Sequence, residues 1–194
     1  ADGDTAQQAV EELYRHGHRR IAALISRPDD QSISQLRYEG YIQALESHGI
    51  PVDPELVICT GGFGAKDAYR AVQEKMAENV DFTALFAIAD SMAIGAMRAL
   101  MDAGRRIPED CSVIAIDGLE LSAYIEPPLT TLCQPMEEMG RRSAEILLDM
   151  VRHKGSHACE LLPTTLPDAL RGVSSLLLTD LTALDYDALE RTLE

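Results

Sequence analysis

Apolar residues fall along this chain in short continuous runs, and between the runs they recur every three or four positions. The runs are Ile21 to Ile25, Leu56 to Cys59, Leu85 to Ile88, Ser112 to Ile116 and, after Pro127-Pro128, Thr130 to Cys133. Runs that are continuous, not alternating, belong to strands covered on both faces, as in a parallel sheet between two helical layers. Helical spacing covers Asp4 to His16, Ser34 to His48, about Ala65 to Glu78, Asp90 to Ala103, and Pro135 to about Arg152. Tyr38, Tyr41, Ile42 and Leu45 share one face of the second helix; Met136, Met139, Ser143, Ile146, Leu147 and Met150 lie on one side of the last. Gly17, Gly49 and Gly104 close three of the helices, and Ile50-Pro51 prevents continuation of the second. The expected fold class is α/β: a parallel sheet with helices on both faces.

In open parallel sheets ligands bind beyond the carboxyl ends of the strands. The segments to search are therefore Ser26 to Ser34, Thr60 to Gly64, Ala89-Asp90-Ser91 and Asp117-Gly118-Leu119. They hold no G-x-S-x-G elbow, no H-E-x-x-H and no phosphate loop. Gly61-Gly62-Phe63-Gly64 lacks dinucleotide spacing and reads as a tight turn that presents Phe63. His16, His18 and His48 flank helix ends, where a cation favours the dipole, and His153 and His157 follow the last helix. None stands as a general base beside a nucleophile, so the reading is not an enzyme. What the loop ends do offer is a guanidinium (Arg37), an exposed ring (Phe63), a carboxylate (Asp117) and, just past a strand, an amide (Gln134). Such a set suits a polyhydroxylated or planar polar ligand. Arg37 has the alternative of a solvated helix cation, and Asp117 that of a turn or cap residue.

Charge changes the list of partners. With 17 Lys and Arg against 32 Asp and Glu, the formal charge is −15. That balance argues against nucleic acid as a direct partner, since affinity there comes from neutralising phosphates. The 194 residues suffice for one domain or two small ones sharing a core. No apolar run approaches the roughly 18 residues needed to cross a bilayer, and Ala1-Asp2-Gly3-Asp4 is unlike a signal peptide. Cys59, Cys111, Cys133 and Cys159 are far apart, without metal-ligand spacing; the first three sit in or beside apolar runs, as buried free thiols would. These features point to a cytoplasmic protein with no cofactor and no metal.

Several segments resemble the LacI/GalR repressors. Gly17-His18-Arg19-Arg20-Ile21-Ala22 is similar to their "GHRRIA" segment. Arg37-Tyr38-Glu39-Gly40-Tyr41 with Ala44-Leu45 resembles "R-x-x-G-[YF]-x-x-A-L". Ala89 to Leu100 is similar to "N-D-x-M-A-x-G-A-x-R-A-L". Pro127-Pro128-Leu129-Thr130-Thr131 with Gln134-Pro135 and Met139-Gly140 resembles "PPLTT-x-x-Q-P-x-x-x-[ML]-G", and Leu161 to Leu166 resembles a strand near the family's carboxyl end. The resemblance runs over about residues 1 to 166.

It implies the flavodoxin-like lobe of a type I periplasmic-binding-protein fold, which senses a small effector of the sugar or purine class. Residues 1–133 would be the effector-binding lobe, 134–166 a crossing helix and strand of the other lobe, and 167–194 an unmatched tail. Arg37, Phe63, Ala89, Asp117 and Gln134 fall on effector-contact positions, with Arg37, Phe63, Asp117 and Gln134 pointing into one shared hollow. Ile94, Met97 and Arg98 face a second copy across a dimer axis, with intramolecular core as the alternative for Ile94 and Met97. Asp90 looks like a helix cap. DNA would be met only through a helix-turn-helix outside this chain, and the helix from Pro135 would pack loosely without the rest of its lobe.

Departures accompany the matches. Ala89 stands where the family usually has an Asn that hydrogen-bonds the effector, a bond worth about 1 kcal/mol. Gly62 stands where Asp or Glu is common. Arg171 to Ser175 resembles a displaced closing strand, and Leu177, Leu181, Leu184 and Ala188 form a helical stripe. Three rival readings are an exported sugar receptor, a small flavodoxin-like enzyme with Asp90 or Asp117 as its acid, and a pure dimerisation module.

Overall fold

The computed structural model describes residues 2–27, 32–153 and 160–166. The chain opens with helix α1 (Asp2–Arg15), followed by β1 (Ile21–Ser26), α2 (Ile33–Ser47), β2 (Val57–Thr60) and α3 (Ala65–Ala77). Then come β3 (Ala84–Ala87), α4 (Asp90–Asp102), β4 (Ser112–Asp117), β5 (Thr130–Cys133) and α5 (Met136–His153), with single 3-10 turns at Pro54–Leu56 and Glu120–Ala123. The five strands form one parallel sheet in the order β2-β1-β3-β4-β5. The doubly wound order places a switch point between β1 and β3: the chain leaves β1 in one direction and β3 in the other. α1 and α2 pack together, as do α3 and α4.

Covering on both faces explains the continuous apolar runs. Every residue of β1 and β3 is buried, and so are the first five of β4. Between the sheet and α2, Tyr41 is fully buried, stacks near Phe86 and donates its hydroxyl to the Ile21 carbonyl at 2.9 Å. Two glycines set the helix pairs. A Cβ on Gly40 would lie 2.1 Å from the Gly3 carbonyl oxygen, and one on Gly95 would lie 2.0 Å from that of Ala65. Only a bare backbone lets α2 approach α1, and α4 approach α3, this closely.

Several expectations change. Leu161 to Leu166 does not form the expected strand; Thr165 alone makes an isolated antiparallel bridge to Cys133, with N···O distances of 2.7 and 3.0 Å. Cys59 is exposed, because β2 lies at the edge of the sheet, while Cys111 is buried and its thiol is pushed up to about 12 by desolvation. His18 is no helix-end cation. It is buried at the amino-terminal edge of the sheet, with Nδ1 3.0 Å from Thr83 Oγ1 and Nε2 3.1 Å from Ser112 Oγ. Burial, aided by the nearby charges of His16 and Arg19, lowers its pKa and keeps the ring neutral. None of the side chains described on α5 is buried. Cys159, His157 and the tail from 167 to 194, with its expected helical stripe, lie outside the described residues. Among the described residues, no helix is long and apolar enough to cross a membrane.

Candidate functional site

Arg37 sits in α2, the helix that follows β1, and its guanidinium crosses the switch point. Nη1 donates to the Ile88 carbonyl, just past β3, and lies 3.4 Å from Asp117 Oδ1 at the end of β4. Nε and Nη2 both reach Asp2 Oδ1 in the first turn of α1, at 3.0 and 2.9 Å. The residue is only 3% exposed, so it is an internal tie between α1, α2 and two strand ends, not a solvated helix cation.

Asp117 is the acceptor at the centre of this arrangement. Besides Arg37, Gln134 Nε2 donates to its Oδ1 at 2.8 Å. Its backbone has φ 150, a region that side-chain-bearing residues seldom adopt. The geometry is locked on both sides: Gln134 N donates to the Asp117 carbonyl at 3.1 Å, and Gly118 N donates to Thr131 Oγ1 at 3.1 Å. Gly118 is required here, since a Cβ would come within 2.5 Å of Cys133 Sγ and its φ is +77. Burial raises the Asp117 carboxyl above the ordinary carboxylate range; Arg37 pulls it down, and nearby Asp90 pushes it up.

Asp90 is not a helix cap. Ala89 occupies the cap position, without a side-chain bond, and Asp90 is the first residue inside α4. The Asp90 carboxylate is wholly buried and accepts from Leu119 N at 2.8 Å, from Ser122 Oγ at 2.7 Å and from Thr131 Oγ1. It thus clamps the segment after Asp117 onto α4 and β5. Sequence reasoning placed this residue at the start of the fourth helix but missed its role; the signal was an Asp followed by the hydroxyls of Ser122, in the 3-10 turn, and Thr131, in β5.

The four residues expected in one hollow, Arg37, Phe63, Asp117 and Gln134, do not all line it. A cavity of about 260 Å³ lies between the start of α1, α5 and the segment 160–164, and Arg37 and Gln134 line it together with Asp2, Met139, Arg142 and Glu160. Asp117 is bonded to both Arg37 and Gln134 but is not a lining residue, and neither is Phe63. Phe63 stands on the turn after β2, 44% exposed, with its carbonyl accepting from Ser91 Oγ at 2.7 Å. Ala89 is 4% exposed and offers an effector almost no surface. On α4, Met97 is 1% exposed and belongs to the chain's own core, so it does not face outward; Ile94 is half-buried against that core, and Arg98 is exposed and paired with Asp102 at 2.9 Å. Among the described residues, no group of His, Cys, Asp and Glu is placed to hold a metal ion.

A parallel sheet of this order, with a polar relay across its switch point, places polar groups where open α/β sheets bind ligands. Residues 10–168 match the family described as "Periplasmic binding protein-like domain", and the chain belongs to that family. It is homologous to LacI-family regulators. It is 38% identical over 163 residues to the HTH-type transcriptional repressor CytR of Escherichia coli (strain K12), covering 81% of this chain and 47% of that protein. The Escherichia coli transcriptional repressor ascG has a similar structure, with TM-score 0.76 and 32% identity over 86% of this chain and 60% of that one. A LacI family transcriptional regulator from Enterococcus faecium, solved with bound ribose, gives TM-score 0.70 and 32% identity over 80% of this chain and 57% of that one. The chain spans about half the length of the curated relatives it matches.

Proposed function

We propose that this chain is the effector-sensing part of a LacI-type transcriptional regulator, working in the cytoplasm and not as an enzyme. The effector is a small polar compound of the sugar or nucleobase class, held at the carboxyl edge of the sheet. Asp117 accepts its hydroxyl or N–H groups, Arg37 and Gln134 orient Asp117, and Phe63 offers a face for stacking. The observation that carries this reading is the hydrogen-bonded chain Arg37–Asp117–Gln134 across the switch point. A buried guanidinium anchored on separate elements keeps the acceptor in place before any ligand arrives. The ribose bound to the Enterococcus faecium regulator supports the sugar class.

In this reading α5 and residues 160–166 belong to the other lobe of the sensor, and the DNA-reading head lies in the part of the relatives that this chain does not match. Effector binding favours one lobe arrangement, and a dimer transmits that choice. A second copy is met through the outward face of α4, at Ile94, Arg98 and Met101, which are among the half-buried and exposed positions of that helix.

An NMR titration of the chain with D-ribose, D-glucose and adenosine tests the site. Amide shifts should concentrate at Asp117 to Leu119, Gln134 and Phe63, and vanish in Asp117→Ala. Shifts elsewhere, or a titration that Asp117→Ala leaves unchanged, would overturn the proposal.

A further inference from the structure

The hollow beside Arg37 is rich in charge yet has almost no donor left for an anion. A guanidinium carries five N–H groups. Arg37 directs two at Asp2 Oδ1 and two at the Ile88 carbonyl and Asp117. Arg142, the other cation lining the cavity, commits three of its donors to carboxylates. Its Nε and Nη2 lie 2.8 and 2.6 Å from Glu160 Oε2, and its Nη1 pairs with Glu145. Two guanidinium groups thus line one cavity beside two carboxylates, Asp2 and Glu160, and each is also paired with a carboxylate outside that lining, Asp117 for Arg37 and Glu145 for Arg142. The remaining polar lining consists of hydroxyl and amide groups such as Gln134, Ser143 and Thr164, beside the apolar Met139 and Ile146.

Recognition of a phosphate requires charge-assisted donors aimed at it, from guanidinium forks or free backbone N–H groups. Here an incoming phosphate would have to break the Arg37–Asp2 pair and would then sit beside the displaced carboxylate. Like charges a few ångströms apart repel strongly where water is thinned out. A hydroxyl-bearing neutral molecule meets none of this, because carboxylates accept from hydroxyls without losing Arg37. Resting on the sensor reading above, we infer that the site takes a neutral hydroxyl-bearing effector and rejects its phosphate ester, with Asp2 as the specificity-determining residue.

The test uses matched pairs, D-ribose with D-ribose 5-phosphate and adenosine with adenosine 5′-monophosphate, titrated calorimetrically and by NMR into the chain and into Asp2→Asn. Asparagine keeps the size of Asp2 and one acceptor for Arg37 while removing the charge. In the parent, the neutral member of the productive pair binds at least about tenfold tighter than its ester. In Asp2→Asn that ratio falls by about tenfold, mainly through tighter binding of the ester. Equal or tighter binding of the ester by the parent overturns the inference and leaves the sensor reading standing. A ratio that Asp2→Asn does not change removes Asp2 from the role and overturns it too. Failure of every probe to bind overturns it together with the reading on which it rests.

Discussion

Replacing Asp90 by Ala should be among the most damaging single changes in this domain. The carboxylate is wholly buried and satisfies Leu119 N, Ser122 Oγ and Thr131 Oγ1. Ser122 and Thr131 are themselves buried, so water cannot replace the lost acceptor. Leaving a buried donor unpaired costs about 1–3 kcal/mol, and here three donors lose their acceptor at once. We expect a loss of about 3–5 kcal/mol, which for a chain of this size lowers Tm by about 10 °C. Asp90→Asn should cost only about 1 kcal/mol. Its carbonyl oxygen can serve Leu119 N and Ser122, while its amide donates to a rotated Thr131 hydroxyl that still accepts from Gly118 N. Urea unfolding followed by circular dichroism measures both variants, and an unchanged m-value shows that the same unfolding is compared. An Ala variant within 1 kcal/mol of the parent would refute the claim that this carboxylate is an internal clamp.

Two further predictions concern other parts of the fold. His18 is buried neutral with its pKa lowered from 6.5, so the unfolded chain binds more protons than the folded one below that value. Stability should be fully present above pH 6.5 and decline as the pH falls through the lowered folded value; His18→Gln should flatten that window in urea titrations, and an unchanged slope would discount the group. On α4, Ile94→Glu and Arg98→Glu should shift a dimer toward monomer in sedimentation velocity with less than about 1 kcal/mol lost in unfolding, whereas Met97→Glu, in the core, should unfold the chain; a dimer indifferent to both surface changes would remove this face from the interface.

Much of the fold was legible because burial on both faces writes itself into composition. The runs at Ile21, Leu85 and Val113 could only be covered strands, and all five strands begin within a residue or so of the apolar runs that announced them. Other features depend on distances that no local pattern encodes. Met97 shares the helical face of a partner contact in sequence terms, yet α4 is pressed against β3 and β4 on one side and α3 on another, so that Ser91, Ile94, Arg98 and Met101 are left toward solvent. His18 was legible as the end of a helix but not as the residue that Thr83 and Ser112 enclose, since these lie 65 and 94 positions away. Glu160 to Leu162 has a strand's composition without a strand to pair with, and only Thr165 finds one.

The site follows the same division. Arg37 and Asp117 were visible as chemistry at strand ends, but their setting depends on two other carboxylates, Asp90 and Asp2. Asp90 fixes the turn that holds Asp117 at φ 150, and Asp2 takes two of the Arg37 donors, so one residue governs geometry and the other governs charge. These functions are separable because they act on different atoms. On the proposed reading, loss of Asp90 moves the backbone that carries Asp117 and so weakens every effector together while lowering stability. On the same reading, loss of the Asp2 charge leaves that backbone in place and shifts the balance between neutral and phosphorylated effectors. A site whose contact residues alone set both affinity and selectivity could not show this separation, because any change in one would carry the other with it.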